Sequence, residues 1–173
     1  MDELIYYFVD DNEVLELINS VSSYTMNDES IKKALYYQFN KSNENNNYQH
    51  ITFWDTSKIT TMENMFSFKK QFNELLLWNT KNVTNMAWMF HFNSSFNQPL
   101  EFNTEKVTNM RWMFCDAISF NQPLEFNTKN TRHMSWMFCD AISFNQTLEF
   151  NTDNVIDMYG MFKNSGMNNA IMA

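Results

Sequence analysis

The chain repeats itself every 24 residues, and five returns of one pattern leave few folds open to it. Trp54, Trp78, Phe102, Phe126 and Phe150 open the pattern, each followed by Asp or Asn and then by Thr at 56, 80, 104, 128 and 152. Further on come Met62, Met86, Met110, Met134 and Met158, then Met65, Met89, Met113, Met137 and Met161, each of these last preceding a Phe. The register never slips. A period of this length is too short for a domain and suits one coil of a stacked array, in which each unit buries its apolar face only against a neighbour. Function is therefore to be sought in surface columns rather than in one pocket. Residues 112–128 and 136–152 differ only at Pro123 versus Thr147, the mark of a recent tandem duplication and not of two distinct active sites.

Composition matters where it excludes partners. With 44% hydrophobic residues, 17 Phe and 14 Met among them, 173 residues suffice for one compact core. Residues 1–31 carry eight acids (Asp2, Glu3, Asp10, Asp11, Glu13, Glu16, Asp28, Glu29) and no Lys or Arg, which accounts for the whole net charge of −8. The remainder is balanced, so no basic stripe exists to hold a phosphate backbone, and no nucleic-acid partner is expected. No apolar run reaches the roughly 18 residues of a membrane span. The acidic start, Met1-Asp2-Glu3, lacks the basic flank of a secretory signal, so a cytoplasmic protein without signal peptide is expected. Two cysteines, Cys115 and Cys139, are too few for an oxidised scaffold and fit a reducing compartment. Abundant Asn with few Gly, Pro and Ala points to an AT-rich genome.

Residues 2–23 read as a helix, with apolar residues from Leu4 to Val21 at three-and-four spacing and acids on the other face. A second helix is expected to start near Asn27, an apt cap followed by Asp28 and Glu29, with Ile31, Leu35 and Phe39 as its apolar stripe. The polar stretch Asn40–Asn47 reads as a loop. Within a repeat, Leu124-Glu125-Phe126-Asn127-Thr128 alternates as a short strand should, and Met110, Met113 and Phe114 fall on one face of a helical turn. Phe72, Phe96, Phe120 and Phe144, with Leu76, Leu100, Leu124 and Leu148, close the core. These features predict an α/β right-handed solenoid of about five 24-residue coils, each a short parallel strand plus a short helix. Residues 1–47 form its N-terminal helical cap and residues 48–173 the repeat domain.

The repeat, as in Trp54-Asp55-Thr56-Ser57 through Met62 to Met65-Phe66, continued by Ser119-Phe120-Asn121-Gln122-Pro123-Leu124, resembles that of the BspA-like surface-protein family, a leucine-rich-repeat relative. The segment Asp28 to Leu35, with Tyr48 to Ile51, is similar to the one that opens such domains. The likeness covers about residues 27–169. Gln49 stands where a Gly is usual, Thr131-Arg132 replaces Val-Thr, and residues 163–167 run one position short, departures that bear on the fourth and last coils. The resemblance implies adhesion or protein binding. Cellular members are often exported, whereas the Asn-rich composition and the missing signal fit the giant-virus versions.

Four columns are candidates for function. Trp88, Trp112 and Trp136 lie off the core face of each turn, and either lean over the next coil or form an exposed apolar binding patch. Glu101, Glu125 and Glu149 are the outward members of successive strands, about 5 Å apart if those strands pair; they form a solvated face or meet a basic partner strip. Asn73, Asn97, Asn121 and Asn145 read as structural, each amide satisfying backbone while touching the next coil. His91, Cys115 and Cys139 share one column but fall short of the four ligands zinc prefers, so they read as turn residues and no metal site is expected. Two glycines, Gly160 and Gly166, cannot build a phosphate loop, and no catalytic residue or cofactor is expected.

We therefore expect a non-catalytic repeat protein that mediates protein–protein interaction with an unidentified protein partner. Two alternatives stand beside it: a structural virion or assembly component packing through the solenoid ends, and an adaptor recruiting host machinery through its acidic N-terminal helix. After Phe162 the chain starts another coil with Met167, Asn168, Ile171 and Met172 and no polar cap, so self-association through the C-terminal end is an expectation.

Overall fold

In the computed structural model the described residues are 25–40 and 50–167. The expected helix at 2–23, residues 41–47 of the expected loop and the last residues, 168–173, lie outside them. Helix α1 spans Asp28–Asn40. It begins there because the Asn27 side chain accepts from the N–H of Glu29 (3.0 Å) and Ser30 (2.9 Å), while Ser30 Oγ accepts from the Asn27 N–H (2.9 Å). Such a reciprocal cap satisfies donors a first helical turn leaves open, and Asp28 and Glu29 favour the positive end of the helix dipole. Ile31, Ala34 and Leu35 are buried, and Phe39 sets its ring edge-on to Phe66 (6.3 Å) and Phe72 (5.8 Å), so α1 packs on the first repeat unit. Asp28 fastens the same contact by accepting from the Thr60 N–H (2.8 Å) and hydroxyl (2.6 Å).

The α/β solenoid expected from the sequence is not what forms. Beyond α1 the described residues hold one short 3-10 turn, Ile51–Phe53, and no strand; units meet through isolated parallel bridges, Thr61 to Asn85, Asn85 to Asn109, Asn109 to His133 and His133 to Asp157. The reason lies in the backbone. Trp88 N–H donates to Arg111 O and Phe90 N–H to Met113 O in the next unit, but the intervening Met89 and His91 donate three residues back, to Met86 and Trp88. Each unit places two residues in the left-handed region, 88 and 92 or 112 and 116, for example (φ 54° to 58°). That conformation curls the chain into consecutive turns and interrupts both the extended run a ladder needs and the right-handed run a helix needs. The i, i+3, i+4 spacing of Met110, Met113 and Phe114 marks the buried side, yet turns rather than a helix bury them.

The alternating segment behaves likewise. Leu100, Phe102 and Thr104 are buried while Glu101 and Asn103 are exposed, but side chains replace a backbone ladder there. Buried Thr56, Thr80, Thr104 and Thr128 donate their hydroxyls to the carbonyls of Asn79, Asn103, Asn127 and Asn151 in the following unit, at 2.9–3.1 Å. Asn73, Asn97 and Asn121 accept through Oδ1 from the N–H of Asn97, Asn121 and Asn145 (2.9, 2.9 and 3.0 Å), which is the structural role their column predicts. The abundant Asn thus has a physical use, supplying backbone partners where no sheet does.

Two Phe columns interleave in the core. Phe90 stacks on Phe114 at 5.5 Å between ring centroids and on Phe96 of its own unit at 4.0 Å; Phe96 stacks on Phe120 at 5.9 Å. These rings are fully buried. In the last unit Phe150, Val155 and Phe162 are half-buried where their counterparts Phe126, Val107 and Phe138 are buried.

Candidate functional site

The turns that stack the units also aim a run of aromatic rings outward. Phe68 stacks on Phe92 (5.0 Å between centroids), Phe92 meets His91 (4.4 Å), His91 stands edge-on to Trp112 (5.7 Å), Trp112 stacks on Trp136 (5.2 Å), and Trp136 meets Tyr159 (5.1 Å). Lys163 lies over the Trp136 ring at 5.3 Å, a cation–π contact. One continuous aromatic ledge therefore crosses all five units, and its two ends are open to solvent: Phe68 is 63% exposed and Tyr159 72%.

The three Trp of the sequence reading are half-buried members of this ledge. Trp112 and Trp136 come together; among the described residues Trp88 has no ring partner. Trp136 leans over the next unit, since a Cβ added at Gly160 would lie 2.7 Å from its ring. Packing thus claims part of each indole. Phe68, Phe92 and Tyr159 escaped the sequence reading. Their columns carried a signal: Phe68 and Phe92 align with Asp116, Asp140 and Asn164, and a position that accepts carboxylates faces water.

Glu101, Glu125 and Glu149 are exposed, as alternation predicts, and make no ion pair among the described residues. Glu101 and Glu125 border a shallow groove with Pro99 and Pro123, on the extended segments rather than on the turns that bear the ledge. Arg111 ties three units together: its guanidinium donates to Ser135 Oγ (3.2 Å) and to Asp157 Oδ2 (2.9 Å). The bonds from Ser135 and Arg111 hold the Asp157 carboxyl below its ordinary range.

Under the ledge lies a third feature. One ring nitrogen of His91, Cys115 Sγ and an Asp116 carboxylate oxygen all fall within 4.8 Å of one another. His91 Nε2 is buried without a hydrogen-bond partner, an omission that costs about 1–3 kcal/mol. Burial pushes the His91 pKa down, against the opposing pull of the Asp116 carboxylate. The Cys115 thiol donates to Asp116 Oδ2 (3.3 Å); burial first, and that carboxylate second, push its pKa well up. Cys139 repeats the motif one unit on, donating to Asp140 Oδ2 (2.9 Å), with its pKa pushed up to about 11 by burial and then by Asp140. Both cysteines are free. The column His91, Cys115, Cys139 was visible in the sequence, but Asp116 is in the neighbouring column and only the backbone's curl brings it in.

No helix among the described residues is long and apolar enough to cross a membrane. A family model described as Mycoplasma protein of unknown function, DUF285, matches residues 33–126 and 101–172. No curated protein and no solved structure matches the chain.

Proposed function

Since the chain belongs to the DUF285 family, Mycoplasma proteins of unknown function, we propose that it is a non-catalytic binding scaffold whose aromatic ledge docks a protein partner. The observation that carries this reading is the continuity of the ledge: rings linked in series from Phe68 in the first unit to Tyr159 in the fifth, with both ends exposed. Exposed aromatic area is costly in water and is where binding energy concentrates at protein interfaces. The half-buried Trp112 and Trp136 serve as the rigid floor of that surface, and Phe68, Phe92 and Tyr159 as its contacts. A stack that repeats every 24 residues presents a long, flat surface rather than an enclosed cleft, which suits a protein partner.

Two variants separate the faces. Phe68→Asp with Phe92→Asp and Tyr159→Ser removes the contacts of the ledge and installs residues that other units carry in the same columns. Glu101→Gln with Glu125→Gln and Glu149→Gln neutralises the acidic strip. In affinity capture from native lysate with quantitative mass spectrometry, partners held by the ledge are lost from the first variant and kept by the second. Partners lost only from the Glu variant would move the binding face to the acidic strip, and identical recovery from all three proteins would sink the reading.

A further inference from the structure

We propose that His91, Cys115 and Asp116 form a site for a zinc-class divalent metal ion at the seam between the second and third repeat units. The donors are one imidazole nitrogen, one sulfur and one carboxylate oxygen, mutually within 4.8 Å. Zinc at bond lengths of about 2.0–2.3 Å holds its donors roughly 3.3–3.8 Å apart, so the three side chains need close by only about an ångström. The seam itself is fixed by backbone: the Phe92 N–H donates to Cys115 O at 2.9 Å, which sets the unit bearing His91 against the unit bearing Cys115 and Asp116. Asp116 sits in the left-handed region (φ 58°), and that conformation turns its carboxylate back toward the preceding thiol.

A second observation points to a ligand. His91 Nε2 is buried and lacks any hydrogen-bond partner, although the ring is wedged among Phe68, Phe92 and Trp112 and held in place. A fixed imidazole with an unused nitrogen is the form in which histidine binds metals. The mixed N, S, O donor set selects zinc, cobalt or cadmium over calcium and magnesium, which take oxygen ligands throughout. The next seam is an internal control: Cys139 and Asp140 are present there, but the neighbouring unit offers Cys115 where His91 would be needed. His91 and Asp116 are each only half-buried, so an ion has a way in, and three protein ligands leave a fourth position to water.

The test uses the full chain, stripped with chelator and kept reduced, and titrated with cobalt chloride and then zinc chloride. One cobalt per chain is expected, with a thiolate-to-cobalt charge-transfer band and the d–d bands of four-coordinate cobalt, both bleached by zinc. His91→Ser, Cys115→Ser and Asp116→Asn take residues that other units carry at these columns, namely Ser67 for the first two and Asn164 for the third, so the fold is expected to persist and circular dichroism checks it. Each should weaken binding at least ~10-fold, while Cys139→Ser should leave the band unchanged. Absence of the band in the native chain overturns the proposal. A band that survives His91→Ser or Asp116→Asn, or one lost in Cys139→Ser, overturns it equally, the latter by assigning the metal to the cysteine pair.

Discussion

Trp88, Trp112 and Trp136 hold φ values of 55°, 58° and 60°, a region that bulky side chains occupy at a cost of about 1–2 kcal/mol each. In the same column Asn64 and Gly160 are residues to which that conformation comes readily. Trp112 and Trp136 persist because their rings recover packing on the following unit: Trp112 stacks on Trp136 at 5.2 Å, and Trp136 covers Gly160 so closely that a Cβ there would lie 2.7 Å from a ring carbon. Gly160 is thus required twice over, for its φ of 65° and for the space above it. Gly160→Ala is expected to destabilise the protein by about 1–3 kcal/mol in urea unfolding. Combined with Trp136→Ser, which vacates the space, the same change should cost only about 1 kcal/mol, the backbone term. Equal penalties in both backgrounds would show that the ring is not what Gly160 accommodates.

At the scale of elements, α1 is joined to the repeats by a charge as well as by Phe39. Burial pushes the Asp28 carboxyl up, but the bonds from the Thr60 hydroxyl and from the Thr60 and Thr61 N–H groups, with Lys32 nearby, outweigh it and hold the pKa below 3.8. A carboxyl lowered in the folded state stabilises it above its unfolded pKa, and that contribution fades as pH falls through the folded value. Asp28→Asn should therefore cost about 1.5 kcal/mol at pH 7. The gap to the native chain should narrow once the pH drops below 3.8. Urea unfolding of both proteins at pH 7 and near pH 3 reads this directly, and a gap that stays constant with pH would show that the Asp28 charge does not anchor the helix. The alternating segments depend instead on side chains, the Thr hydroxyls and Asn amides that bridge units where a ladder is missing.

Across the whole molecule, units that share one apolar pattern and are joined by nearest-neighbour contacts make the 24-residue register the governing quantity. Deleting residues 116–139 joins Cys115 to Asp140 and restores the same local sequence in register. That protein should fold cooperatively with a urea m-value lower by about a seventh, whereas deleting only 117–139 leaves every later inward side chain one position out and should abolish the cooperative transition. Register, inside and outside, and the start of α1 were all determined by the sequence alone: the buried Met and Phe columns, the exposed Glu101, Glu125 and Glu149, and the Asn27 cap follow from periodicity and side-chain chemistry. What only the tertiary structure decided is the path of the backbone. A left-handed Trp carries no local signal, because isolated propensity argues against it and only the neighbouring unit compensates, so the strand and helix expected in each coil gave way to turns. The ledge and the His91, Cys115 and Asp116 cluster were hidden for the same reason, since each joins residues that meet only when units stack with their rings 5.5 Å apart.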